Sequence, residues 1–203
     1  LSMCGTQNEF AKMPVALIDV LAAHQIKEGI LIALLKREKT GKGCHIKTTL
    51  EETAIASLMN QSSNYLMAEH NPKKLGTLHP NIAPYGDIIN SMDGTKLILA
   101  IGTDKQFVSF CELIKLTASI DFNTNQKRVA KREELMKIIN DKTSVLKSSW
   151  LLENCHNRHI PIGKIKTVAE VMQEKIAQQM ILEEMVDGFP TKRIKTNSFE
   201  LLN

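Results

Sequence analysis

The chain has 203 residues, 43% of them hydrophobic and 24% charged, with a formal net charge of +4. That is enough apolar matter to bury a sizeable core in one or two compact units. With 4% aromatic residues and a mild positive charge it lacks the stacking platforms and basic field that nucleic acid demands, while anionic small molecules remain compatible partners.

The chain opens at Leu1 without an initiator methionine, and its first eleven residues read as the interior of a longer protein. From Lys12 to Gly43 the sequence predicts one long helix: Pro14 suits its entry, and Leu17, Leu21, Ile26, Ile30 and Leu34 recur at helical spacing. Ala22, Ala23, Gly29 and Ala33 are small enough for another element to approach closely, so the helix is expected to be buried on most faces. Lys36, Arg37 and Lys39 suit its negative end, and Gly41 is a left-handed cap. Asp19, near its start, is an ionisable group in an apolar neighbourhood. It is either a first-turn acid satisfied by backbone amides or a carboxylate nucleophile or base tuned by the helix end.

His45–Leu50 alternates as a strand, and Thr49 with Glu52 forms a capping box for a helix with Ile55, Leu58, Met59, Tyr65 and Leu66 on its apolar stripe. Strand, turn and helix in this order suit a layered α/β domain. His70–Gly86 holds three of the six prolines and cannot be a regular element, so it is a domain junction or an ordered binding loop. His79 and Asn81 within it suit either a structural hydrogen bond or an acyl carboxylate.

Asp87–Met92 and Lys96–Ile101 predict a hairpin about Asp93-Gly94. Thr103 and Gln106 cap a helix packed through Phe107, Phe110, Cys111 and Ile114. Gln126–Asn140 reads as a charged helix with Val129, Leu135, Met136 and Ile139 inward and Lys127, Arg128, Lys131 and Arg132 as a solvated face. A helix from Ser149 packing by Trp150, a strand over Ile160–Ile165, and a helix capped by Thr167 and Glu170 reaching Gln179 follow. Met180–Val186 and Thr191–Thr196 close the series as strands joined across Asp187-Gly188.

Cys4, Cys44, Cys111 and Cys155 are widely spaced and form no CxxC pair, which suits reduced thiols and a cytoplasmic location. Cys155, His156 and His159 are too few for a zinc site, so no metal is expected. No stretch reads as a signal peptide and no apolar run reaches about 18 residues, so neither secretion nor a membrane span is expected.

PVALIDVLAAHQ, ALLKREKTGKGCHIKTTLEET, LHPNIAPY, KRVAKREEL and IPIGKIKTVAEV, in this order, resemble consecutive signatures of the class III CoA-transferases, the family of formyl-CoA, carnitine and succinyl CoA-transferases. The resemblance runs from about Lys12 to about Phe199. It implies an α/β fold in which residues 1–70 are the remainder of a partial Rossmann-like large domain with a linker helix. Residues 71–165 would be the small α+β domain, and 166–203 a second linker helix and the start of the return to the large domain. Family members are about twice this length, so the resemblance implies a fragment lacking the N-terminal half, which supplies much of the CoA pocket.

The activity implied is transfer of coenzyme A between an acyl-CoA and a carboxylic acid through an aspartyl-CoA thioester. Asp19 aligns with the family's nucleophile and Leu50 with a site-lining position, while the loop holding His79 and Asn81 faces the active site. Lys42 and its basic neighbours are CoA candidates by charge alone. Coenzyme A is a substrate here, and no cofactor is required. The formyl-CoA branch has a glycine run where this chain has His79, Pro80, Asn81 and Pro84, which argues against an oxalate or formate substrate. Two other readings stand beside this one. The superfamily's 2-methylacyl-CoA racemase would use the same aspartate with a histidine upstream of Leu1, though the downstream motifs look more like the transferases. A non-catalytic remnant would act only in dimerisation, since family members form interlocked homodimers.

Overall fold

The computed structural model describes residues 2–117 and 120–200. The backbone divides into two compact units, Leu1–Pro80 and Asn81–Asn203. Leu201–Asn203, within the expected return to a large domain, lie outside the described residues.

The first unit is helical. Helix α1 (Leu17–Thr40) ends as expected at Gly41, whose positive φ lets its N–H reach the Arg37 carbonyl at 2.8 Å. Its apolar residues are not buried on most faces, however. Ala22 alone in α1 is buried, whereas Ile32 and Leu35 are each 66% exposed. Helical spacing gathers apolar residues onto faces, but the neighbouring segments of this unit cover little of them. The close approach expected at the small residues is found at Gly29, where an added Cβ would stand 3.1 Å from the Ile46 side chain.

His45–Leu50 is not a strand, because among the described residues no neighbouring strand pairs with it and an unpaired strand leaves its polar backbone groups unmet. Instead Cys44–Thr48 runs along α1 beside Ile26 and Ile30. Thr49 caps helix α2 (Leu50–Ala56) by accepting the Glu52 N–H at 3.1 Å, and its hydroxyl donates to the Glu52 carboxylate at 2.8 Å. The single helix expected beyond it is two, since Met59 at φ 51° breaks the chain before helix α3 (Asn60–Ala68). Its supposed inward stripe, Ile55, Met59, Tyr65 and Leu66, is exposed.

The second unit is built on a three-stranded antiparallel sheet. Strands β1 (Tyr85–Asn90) and β2 (Lys96–Ala100) form the expected hairpin, with Ile89 opposite Leu97 and Gly94 in the left-handed region at the turn. Helix α4 (Asp104–Leu113) starts with the full Thr103–Gln106 capping box. A 3-10 turn (Ile120–Phe122) precedes α5 (Asn125–Ala130) and α6 (Arg132–Thr143), two helices where one was expected, parted at Lys131. Helix α7 (Ser148–Asn157) packs through Leu151 and Cys155, with Trp150 39% exposed at its side. Strand β3 (Ile162–Lys164) then pairs with β2, Ile98 facing Gly163. Leu97 and Leu99 from β2, Phe107 and Phe110 from α4, Leu135 and Ile139 from α6, and Leu151 from α7 close one core on one face of this sheet.

The rest of the chain is more open. Thr167 and Glu170 form the expected capping box for α8 (Val168–Met172), and α9 (Lys175–Met180) follows as a separate helix. Strands β4 (Ile181–Val186) and β5 (Phe189–Ile194) pair in a hairpin whose turn holds Asp187 and Gly188 at positive φ.

Candidate active site

Asp19 is the third residue of α1, in its first turn. No side chain caps this helix start, and the Leu17 N–H instead turns back to the Val15 carbonyl at 2.8 Å. The Asp19 carboxylate is exposed and, among the described residues, takes no hydrogen bond and joins no ion pair. The reading in which backbone amides satisfy it is therefore not realised in this structure. What surrounds it is solvent on one side and the positive end of a 24-residue helix on the other, which favours negative charge.

Leu50 opens α2 and is 53% exposed. The fully buried Thr53 hydroxyl of its helix donates to the Thr49 carbonyl at 2.9 Å and stands 3.4 Å from Gln25 Oε1 of α1. Gln25 lies six residues beyond Asp19, about 9 Å along the axis, so α2 packs on α1 within two turns of Asp19. His79 is half-buried near the end of the first unit, and Asn81 is exposed at the beginning of the second. Asp19, Leu50 and His79 thus share a unit and Asn81 does not. Lys42 is exposed beyond the α1 cap.

The segment leading from Asn81 into β1 is held by one helix pair. Asn125 donates from Nδ2 to the Asn81 carbonyl at 2.7 Å and accepts the Ala83 N–H on Oδ1 at 3.1 Å. Arg128 donates from Nε to the Ala83 carbonyl at 2.8 Å, from Nη1 to Phe122 at 3.1 Å and from Nη2 to Asp104 at 2.5 Å, with the Phe107 ring 4.3 Å from its guanidinium carbon. Arg132 donates to the Ile82 carbonyl and, at 3.4 Å, to that of Tyr85, and pairs with Asp87 at 3.3 Å. The solvated face expected of this helix is corrected at these positions: Arg128 is 2% exposed and Arg132 nearly buried. Lys131, paired with Asp121 at 2.6 Å, does face solvent.

Asp87 is itself buried, and burial pushes its carboxyl above the usual range against the pull of Arg132. Its Oδ2 has no hydrogen-bond partner among the described residues. Sequence reasoning missed Asn125, Arg128, Arg132 and Asp87 as a group, although a signal was present. Arg128 and Arg132 continue, at spacings of four and three, the stripe of Leu135 and Ile139 that faces the core.

The remaining candidates are plain. Cys155 is fully buried, its thiol pushed up to about 12 by burial, and His156 meets the Ile162 carbonyl through Nε2 at 3.3 Å. Among the described residues no cluster of three His, Cys, Asp or Glu side chains is arranged to hold a metal. No helix among them is long and apolar enough to cross a membrane.

Residues 1–200 match the family model of CoA-transferase family III. The chain belongs to CoA-transferase family III. The family III chain is 34% identical over 191 residues to the succinate–glutarate CoA-transferase of Agrobacterium fabrum, a match covering 91% of this chain and 47% of that protein. It is 31% identical over 179 residues to the human succinyl-CoA:glutarate CoA-transferase, covering 86% of this chain and 40% of that one. The crystal structure of a CAIB/BAIF family protein from Brucella suis matches with a TM-score of 0.67 at 32% identity, over 93% of this chain and 50% of that chain. A Mycobacterium tuberculosis protein matches in fold, with a TM-score of 0.80 at 17% identity, over 98% of this chain and 53% of its own. The family III chain therefore spans about half the length of the relatives it matches. Its mixture of helix and sheet is the α/β fold of the class III CoA-transferases.

Proposed function

We propose that this chain carries the nucleophile of a class III CoA-transferase, Asp19, and passes coenzyme A between an acyl-CoA and a carboxylic acid. The observation that carries this is an unpaired carboxylate on the first turn of the longest helix, within a chain matched to the family over residues 1–200. A carboxylate without a competing partner is available for attack, and the helix end favours its charge.

In this reading an Asp19 oxygen adds to the thioester carbonyl, a C–O bond forms, and the C–S bond breaks to release CoA thiolate. The thiolate then attacks the aspartyl carbonyl of the mixed anhydride, forming the aspartyl-CoA thioester and freeing the donor acid. The acceptor carboxylate attacks that thioester, and returning thiolate takes the new acyl group, leaving Asp19 as it began. No net proton moves. Two relatives bear succinate or succinyl and glutarate in their names, which supports a dicarboxylic acyl group in both donor and acceptor. Leu50 lines the acyl chain in this scheme, and His79 and Asn81 meet the acceptor carboxylate.

The same reading makes residues 1–70 part of a large domain, 71–165 the small domain and 166–203 the start of the return. The working enzyme is an interlocked homodimer in which the exposed apolar residues of α1 are covered, and it operates in the cytoplasm.

The test is intact mass after incubation with succinyl-CoA, with and without hydroxylamine, on this chain and on a longer version preceded by the N-terminal half of the Agrobacterium relative. A CoA adduct that hydroxylamine removes and Asp19→Ala lacks is expected in the longer version. Its absence from both forms defeats the proposal.

A further inference from the structure

The loop that leaves α3 encloses a cavity with no part in the chemistry proposed for Asp19. Glu69 at φ 51° ends α3, and Pro72 and Pro80 fix the backbone on either side of a turn in which the Leu78 N–H reaches the Leu75 carbonyl at 3.1 Å. The segment before α1 lies along this loop. The Gly76 N–H donates to the Gly5 carbonyl at 2.8 Å, and the Lys74 ammonium sits 4.0 Å from the centre of the Phe10 ring. The cavity, of about 250 Å³, is walled by Met3, Pro72, Leu75, Leu78 and Pro80.

Three polar side chains join these apolar walls, and none is engaged. Gln61 in the first turn of α3, His70 and Lys73 line the same cavity, and among the described residues their side chains take no hydrogen bond and join no ion pair. Gln61 Oε1 is closed off from solvent without a donor, which is costly for a carboxamide. Because no hydrogen bond holds it, the carboxamide turns about its broad terminal torsion without losing one, and its N–H donors then serve the cavity. Lys73 is unlike the other lysines that line or flank a hollow. Lys74 faces Phe10, and in the hollow beside β3 Lys164 and Lys166 are paired with Glu170 and Glu174 at 2.8 and 2.6 Å. An ammonium without a counter-ion beside an apolar cavity matches a carboxylate on an alkyl chain. Drug-sized ligands fill roughly 300–1,000 Å³, so the occupant is smaller, with a chain of about five carbons.

We propose that this cavity binds a short monocarboxylic acid: Lys73 pairs with its carboxylate, Gln61 and His70 donate to it, and the alkyl chain lies against Met3, Leu75 and Leu78. A second carboxylate at the far end of the chain would meet those apolar walls unpaired, so the site rejects dicarboxylates of the same length. It lies wholly within the first unit and uses neither Asp19 nor the second unit.

The experiment titrates this chain with sodium pentanoate, followed by saturation-transfer NMR on the ligand, with glutarate and pentylamine as controls. Saturable binding of pentanoate is expected, with glutarate about tenfold weaker and pentylamine not retained. Lys73→Gln should weaken pentanoate about tenfold, whereas Lys74→Gln, with the same loss of charge, should stay within about twofold of wild type. Gln61→Leu should weaken it as well. Lys73 and Lys74 are side chains of a surface loop, and unchanged circular dichroism in both variants separates loss of binding from loss of fold. Equal losses in the two lysine variants overturn the inference and leave general attraction of an anion to a basic chain. Glutarate bound as tightly as pentanoate overturns it, and so does pentylamine bound as tightly. Absence of saturable pentanoate binding from wild type overturns it outright and leaves the transferase reading of Asp19 untouched.

Discussion

A guanidinium 2% exposed is tolerated only when every side of it is occupied, and Arg128 meets that condition with two carbonyls, a carboxylate and an aromatic face. Replacing it by Met keeps the volume of the stem but orphans the Ala83 and Phe122 carbonyls inside the unit. Asp104, 61% exposed, is rehydrated and adds little to the loss. The expected cost of Arg128→Met is about 3 kcal/mol, read as a fall in the urea midpoint. Lys131→Ala, on an exposed pair three residues along, should leave that midpoint where it is. This contrast was half legible in the sequence. The stripe through Leu135 and Ile139 includes Arg128 and Arg132, but arginine is so rarely buried that charge marks such positions as solvated in sequence. What a sequence does not carry is the ring of partners that makes burial possible, since Ala83 and Phe122 contribute only backbone oxygen.

Element ends were the most legible part of the fold, because a cap is a local bargain between a side chain and one or two nearby amides. Thr49, Thr103 and Thr167 each cap the helix they were expected to start, and Gly41 ends α1. Gly41→Ala puts a Cβ on a residue at φ 67°, and a loss of about 1 kcal/mol in thermal unfolding is expected. Breaks inside helices were not legible: nothing about Met59 or Lys131 as side chains announces the turn there. Between elements, the hairpin turn holds α7, since Asp93 accepts from the Ser148 N–H at 3.1 Å, the Ser148 hydroxyl at 2.6 Å and the Ser91 hydroxyl at 2.5 Å. These bonds, those of Ser148 first, hold the Asp93 carboxyl well below the usual range, and Lys164 with Thr167 lowers Glu170 to about 2. A lowered folded value means stability present above the unfolded value and lost as pH falls toward the folded one. Asp87, raised by burial, has the opposite sign and gains as it is protonated. Urea midpoints should therefore fall from about pH 4.5 toward about pH 2, and Asp93→Asn should flatten that fall while lowering the midpoint at neutral pH. An unchanged acid slope in Asp93→Asn would remove this aspartate from the account.

At the scale of the whole molecule, the fold is a closed core in one unit and an open helical face in the other. Sequence periodicity told correctly which residues of α1 share a face but not what covers them, because coverage depends on surfaces that lie elsewhere in sequence or in another chain. Leu31 and Ile32 lie four and three residues before Leu35, and the three form one exposed apolar patch. Apolar residues scattered singly on a surface are ordinary, whereas a contiguous group of this kind drives association. The chain on its own is expected to self-associate, its apparent mass in light scattering rising with concentration above the 22.7 kDa of one copy. Ile32→Glu combined with Leu35→Glu places charge on residues that already face water, so folding is little affected, and the scattering mass should fall back toward one copy. Retained α-helical circular dichroism in the double variant separates loss of association from loss of fold. A wild-type chain that stays at 22.7 kDa across the concentration range would show that this face needs no cover. It would also remove the physical ground for expecting a homodimer to be built around α1.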